Sequence, residues 1–457
     1  MLACYGEAEQ GASSGSPPAA GSILLVGIDG LEWNVMLPML REGRLPTFSA
    51  LIERGRYGLL ESFIPTESPV IWTSVATGKQ PRKHGIQGFA HRDPQNPRQL
   101  VLYDNRDRKT VALWEILSDH QRRVACIGWW MTHPVDPVSG VMVAQTNTSA
   151  QLDTREGRNI WKGTLRKGVP DQVHPPERQD EMISILEQVD AELPDLTRRI
   201  FGEFPHPLRL LGQRLWDNTQ WAFRADATYV RIALLLAGER PLPDLTLLYL
   251  GGPDIVGHRF WRYMKPDPFL HRPAFEEIEN FGSVIEDYYA YVDAALGKLA
   301  SAYGNETTLI VVSDHGMHAH NLTARFDRDH PPADVSSGHH REAPPGVFFA
   351  AGPIIHSEGA ARPPPVLSRD DLRTVGSVLD LAPTLLAAFR IPTAADMDGR
   401  VIHELFTEDF RIAEQPPPVP THDTEAFFAR RARPSAAHPG HDERVEQLEA
   451  LGYIEER

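Results

Sequence analysis

Three apolar runs in this chain each end in an aspartate. "SILLVGIDG" contains Asp29, "PDLTLLYLGGPD" ends at Asp254, and "ETTLIVVSDHG" contains Asp314. Each run is short, lacks polar alternation and closes in a Gly-flanked turn. That is the pattern of a parallel strand buried on both faces. "RRVACIGWW" reads as a further strand, and helical patterns lie between the runs, in "LPTFSALIERG", "TVALWEILSDHQ" and "SVLDLAPTLLAAFRI". Strands alternating with helices predict an α/β fold: a mostly parallel central sheet with helices on both faces. In open sheets of this kind the ligand site lies beyond the carboxyl ends of the strands. A lone strand-end Asp is commonly a helix cap. Three of them, two with His beside them, predict a site that gathers carboxylates from distant segments.

The neighbouring residues supply the rest of a metal set. "DIVGH" places His258 four residues after Asp254, on one face if the stretch is helical. "SDHG" sets His315 beside Asp314, and "SGHHRE" offers His339 and His340. Mixed carboxylate and imidazole ligation without thiolate suits zinc, with manganese or iron as alternatives. It is compatible with hydrolysis at a two-metal site. The formal net charge of -15 argues against a broad nucleic-acid surface. It does not exclude a local anion site, because a bound cation can outweigh nearby carboxylates. Cys4 and Cys126 are the only cysteines, so no disulfide framework is implied. No apolar run approaches the ~20 residues of a membrane span.

Between the first two strand-end aspartates lies "SFIPTESPVIWTSVATGKQPRKHGI", residues 62 to 86. It is rich in hydroxyls yet has no partner for a Ser-His-Asp triad. A metal resolves this, since a zinc-held hydroxyl loses its proton near neutral pH. Taken with "LLVGIDGLEWNVMLPMLREGRLPTFSALIERG", "YLGGPDIVGHRFW", "VVSDHGM" and "SGHHREAPPGVFFAAGP", the stretch resembles the alkaline phosphatase superfamily. The nearest branch is the type I phosphodiesterase/nucleotide pyrophosphatase group, matched in order from Ile23 to Phe406. The resemblance implies a metal-dependent phosphoric-ester hydrolase with two zinc-like divalent ions, a small-molecule phosphoester substrate and a covalent phosphoseryl intermediate. One ion would be held by Asp29, Asp314, His315 and the nucleophile. The other would be held by Asp254, His258 and His340, with His339 as the fallback. The family's nucleophile stands nine residues before the Thr of a Thr-Gly step, which is Ser68 here, ahead of Thr77 and Gly78; Thr66 is the weaker candidate. Sulfatases would need Pro two places after the nucleophile and Arg two further on. Here Pro69 follows directly and Trp72 stands in the Arg place. The Asn with which some nucleotide pyrophosphatases contact phosphate is absent from "SPVIW". A phosphomonoesterase, a phosphonate hydrolase or a phospho-headgroup transferase are the alternatives on the same site. His84 and Lys83 read as structural rather than as borders of the site.

The chain divides into a flexible tether over residues 1 to 22, an alkaline phosphatase-like catalytic domain over 23 to 410, and a Pro-rich linker and tail over 411 to 457. A helical insertion, rich in charge, Pro and Trp, interrupts the domain at about 150 to 240 and is expected to shape the pocket. "RVEQLEALGYIEER" reads as a short terminal helix. The start "MLAC" resembles the end of a bacterial lipoprotein signal. That would make Cys4 a lipid anchor and place the protein outside the cytoplasm, in the periplasm or tethered to a membrane, although the compartment stays open.

Overall fold

The computed structural model describes residues 20–92, 100–145, 164–165, 169–203, 208–324, 336–357, 368–412 and 414–430. Cys4, the rest of the tether up to residue 19, and the terminal helix expected beyond residue 430 lie outside the described residues. The strands are β1 (Ile23–Ile28), β2 (Arg56–Glu61), β3 (Ala90–Arg92), β4 (Leu100–Leu102), β5 (Val124–Ile127), β6 (Gly140–Val143), β7 (Val173–His174), β8 (Leu245–Leu250), β9 (Thr308–Val312), β10 (His318–Ala319), β11 (Gly338–His339), β12 (Gly346–Ala351) and β13 (Thr374–Ser377). Nine of them make one sheet in the order β13-β2-β12-β9-β1-β8-β5-β6-β7.

The five strands β9, β1, β8, β5 and β6 run parallel, so the expected α/β architecture holds. β1 sits between β8 and β9, with Ile28 opposite Leu250 and Gly27 opposite Val312. This register brings Asp29, Gly251 and Asp314 to one level at the carboxyl edge. Successive side chains of a strand face opposite sides. Leu24, Val26 and Ile28 accordingly enter one core, while Ile23 and Leu25 enter the other. Burying both faces is why these strands carry almost no polar residues. Among the described residues, no helix is long and apolar enough to cross a membrane.

Two segments pack closely on the body of the fold. Within the segment read as an insertion lie helices Gln179–Phe201, Arg209–Asp217 and Gln220–Gly238. The last of them is no appendage. Phe223, Tyr229, Ile232, Ala233 and Leu236 are buried in the same core as β1 and β8, so it is a covering helix of the sheet. The stretch read as a linker also docks. Ala395 N–H donates to Val419 O at 2.8 Å, and Lys79 Nζ reaches Asp423 Oδ2 at 2.6 Å. A buried lysine needs carboxylate partners, and Asp423 is one of them.

Candidate metal centre

Each carboxylate stands where its backbone leaves the sheet. Asp29 follows β1 directly, and its N–H still bonds Leu250 O at 2.9 Å. Gly30 then turns with φ of 72°, a conformation that disfavours a side chain. A Cβ on Gly30 would also lie 2.8 Å from Asp254 Cα, so the two loops touch through their backbones. Asp254 lies in the first turn of helix Gly252–Met264, and His258 follows one turn later, as the spacing predicts. Their side chains meet, with His258 Nε2 3.4 Å from Asp254 Oδ1. His315 Nε2 lies 3.3 Å from both Asp29 Oδ1 and Asp314 Oδ2. His340 Nε2 lies 3.8 Å from Asp254 Oδ1, and its ring stacks on His315 with centroids 4.0 Å apart.

Among the described residues, two groups of atoms able to ligate a metal result, each converging within 4.8 Å: Asp29, Asp314 and His315, and Asp254, His315 and His340. The first contains the three protein residues expected to join Ser68 around one ion. The second holds two of the three residues expected around the other, with His258 against Asp254. His315 stands against both groups, so they share a wall. His339 belongs to neither group. Its Nδ1 accepts the N–H groups of His340 and Arg341 at 2.8 Å each, and burial pushes its pKa down to about 3.

The outer atoms of the histidines are fixed by the backbone. His315 Nδ1 lies 3.0 Å from Gly316 O, and His258 Nδ1 lies 2.8 Å from Gly338 O. A backbone carbonyl there sets the tautomer and aims Nε2 inward, as in metal-ligating histidines. Asp29 Oδ2 accepts from Tyr249 Oη at 2.6 Å and from Trp72 Nε1 at 3.1 Å. These leave Asp29 Oδ1, both oxygens of Asp314 and His315 Nε2 buried without a hydrogen-bond partner. Such atoms are costly unless a cation fills the space they face. The donor set fits a divalent ion.

Electrostatics point the same way. Burial raises Asp29, and the charge of Asp254 raises it further. Burial lifts Asp314 well above the carboxylate range, with Asp29 and Asp254 adding to the effect. Asp254 goes the other way: burial would raise it, but His258, His340 and His315 hold it low. Burial, then His315, keeps His340 neutral and able to ligate. Three carboxylates packed against one another repel unless positive charge lies among them.

Ser68 is the first residue of helix Ser68–Thr77 and is buried. Trp72, one turn on and on the same face, is the residue that bonds Asp29. The hydroxyls nearest to it in sequence, those of Thr66, Thr73, Ser74 and Thr77, are engaged. Thr73 Oγ1 donates to Pro69 O, Thr77 Oγ1 to Thr73 O, and Ser74 Oγ lies 2.9 Å from His84 Nε2. Lys83 is tied to Asp398 and to Asp396 O, so it and His84 are structural. Thr66 Oγ1 donates to His340 O and so holds the backbone of His340. Glu67, beside Ser68, is pushed up to about 7 by burial, while Arg341 pulls it down.

Several supporting residues escaped the sequence reading. Tyr249 and Trp72 carry no motif signal. Glu32 could have been noticed as an acid in the apolar run after Asp29. It is buried, takes the N–H of Met317 at 3.1 Å and so ties the Asp29 loop to the Asp314 loop.

Comparison with known proteins agrees with the motifs. A sequence model of the family described as type I phosphodiesterase / nucleotide pyrophosphatase matches residues 23–357. No curated protein matches in sequence. Among solved structures, an inactive variant of mouse ectonucleotide pyrophosphatase / phosphodiesterase 5 in complex with AMP is 13% identical, covers 85% of this chain and 100% of its own, and gives a TM-score of 0.49. Phosphonoacetate hydrolase from Sinorhizobium meliloti, in complex with phosphonoformate, is 19% identical, with 69% of this chain and 60% of its own covered at a TM-score of 0.40.

Proposed function

The chain belongs to the type I phosphodiesterase / nucleotide pyrophosphatase family, and from that membership we propose that it hydrolyses small phosphodiesters through a covalent intermediate on Ser68, with two divalent ions bound. The observation that carries the reading is the convergence of Asp29, Asp254, Asp314 and His315 at the ends of three adjacent parallel strands, with Asp29 Oδ1, both oxygens of Asp314 and His315 Nε2 buried and unbonded.

Asp29, Asp314 and His315 would hold one ion together with Ser68, and Asp254, His258 and His340 would hold the other. When bound, the ions supply Lewis acidity, lower the pKa of a ligated hydroxyl or water, and offset charge that builds on the phosphoryl oxygens. The chain's own groups do the rest. Ser68 contributes its hydroxyl oxygen to phosphorus, and the P–O bond to the leaving alcohol breaks as that alcohol is released. Water then cleaves the seryl ester, restoring the Ser68 hydroxyl and releasing a phosphomonoester. The start of the Ser68–Thr77 helix would favour the anion through the positive end of its dipole. Tyr249 and Trp72 hold Asp29 in place throughout.

A substrate panel tests this: bis-p-nitrophenyl phosphate, p-nitrophenyl phosphate and the p-nitrophenyl ester of thymidine monophosphate, assayed before chelation, after it, and after zinc is returned. The reading expects the diesters to be cleaved fastest, loss of activity on chelation and its return with zinc. Faster cleavage of p-nitrophenyl phosphate would turn the assignment to a monoesterase. Activity indifferent to chelation would remove the metal from the account.

A further inference from the structure

Asp226 is a lone acid on the buried side of the Gln220–Gly238 helix, otherwise lined there by Ala222, Phe223, Tyr229 and Val230. Its carboxylate leaves that helix and reaches the start of another. Gly251 N–H donates to Oδ1 at 2.9 Å and Gly252 N–H to Oδ2 at 3.0 Å. Tyr288 Oη completes the set, donating to Oδ2 at 2.9 Å. Gly251 is the N-cap of helix Gly252–Met264 and makes no side-chain cap of its own. A helix start leaves N–H groups unsatisfied and carries partial positive charge, so a carboxylate there fixes it. Asp226 is thus the cap, delivered from a different helix. The approach is close enough to require glycine: a Cβ on Gly252 would lie 1.8 Å from Tyr288 Oη.

The helix so fixed carries Asp254 in its first turn and His258 in its second. The other ligand group is braced by the next residue along. Tyr289 Oη donates to Gly30 O at 3.1 Å and accepts Glu32 N–H at 2.9 Å, which holds the loop that follows Asp29. Tyr288 and Tyr289 stand side by side on helix Val284–Tyr303. One helix therefore grips both ligand loops, one directly and one through Asp226. We infer that Asp226 is a positioning residue that sets the Asp254–His258 ion site relative to the Asp29–Asp314–His315 site. The inference rests on the two-ion reading above.

The test measures the affinity of each of two zinc equivalents by chelator competition on full-length protein. It compares wild type with Asp226→Ala, Asp226→Asn, Tyr288→Phe, His258→Ala and, as a control, Leu236→Ala from the same helix. His258→Ala identifies which equivalent belongs to the Asp254 site. Asp226→Ala is expected to weaken that same equivalent about 10-fold or more and to leave the other within about 2-fold. Asp226→Asn and Tyr288→Phe should have smaller effects of the same selectivity. Excess zinc should restore much of the lost kcat with little change in KM. Both equivalents weakened alike, in step with the loss of Tm seen in Leu236→Ala, would reduce Asp226 to a general stabiliser and overturn the inference. Unchanged affinities for both would overturn it as well. Fewer than two equivalents in wild type would overturn the two-ion reading and this inference with it.

Discussion

His84 shows how a residue of an active-site motif serves the fold rather than the chemistry. Its Nδ1 accepts the N–H of Ile86 at 3.2 Å, so the proton sits on Nε2, which faces Ser74 Oγ. Burial, then the Arg108 guanidinium, pushes its pKa down to about 3 from an ordinary 6.5. The sign of the consequence follows directly. Between about pH 6.5 and pH 3 the unfolded chain binds a proton at this position that the folded chain refuses. His84 therefore costs stability as pH falls through that window, by at most about 1.4 kcal/mol per pH unit. His84→Gln removes this term. In urea titrations of the chelated protein, wild type is expected to lose more stability than the variant between pH 7.5 and pH 5. Equal losses would mean that His84 takes up its proton in the fold. Sequence could raise the question of His84 but not decide it, because its partners, Ser74 and Ile86, are selected only once Gly85 turns the chain back.

At the scale of elements, legibility followed the distance over which a signal acts. Buried parallel strands announce themselves locally, as unbroken apolar runs, so β1, β8 and β9 and the acids at their ends could be read directly. Helical spacing likewise put Asp254 and His258 on one face. The docking of residues 414–430 could not be read, because a Pro-rich composition is shared by linkers and by extended segments that pack. What decides between them is Lys79, buried 344 residues earlier in the sequence, whose ammonium meets Asp396 at 2.7 Å and Asp423 at 2.6 Å. Asp226 was obscured for a similar reason: one acid in an apolar helix has no partner until Gly251 and Tyr288 are brought to it. Removing the cation from the Lys79 pair strands two carboxylates that are partly screened by solvent. Lys79→Ala is expected to cost about 2 kcal/mol or more, below the 3–5 kcal/mol of a fully buried pair. The urea midpoint should fall accordingly at unchanged slope. An unmoved midpoint would mean that the docked segment adds nothing to stability.

In the whole molecule the candidate centre sits at the carboxyl edge of a sheet buried on both faces. The central parallel strands bring together ligands that are hundreds of residues apart, and the helices on either face fix them from behind: Trp72 from one side through Asp29, and Asp226 and the Tyr288–Tyr289 pair from the other. The sheet explains the carboxylates' positions, and their crowding is what a bound cation would relieve. In the proposed reading the hydroxyl at the start of the Ser68–Thr77 helix acts on the substrate. The central claim is that Ser68 attacks phosphorus while the rest of the centre holds the metal. The most direct measurement is therefore the rate of bis-p-nitrophenyl phosphate hydrolysis by Ser68→Ala, with its bound zinc quantified in the same sample. The account predicts a folded protein that retains zinc and has lost on the order of 10³-fold or more in kcat. Undiminished turnover in that metal-loaded variant would contradict it.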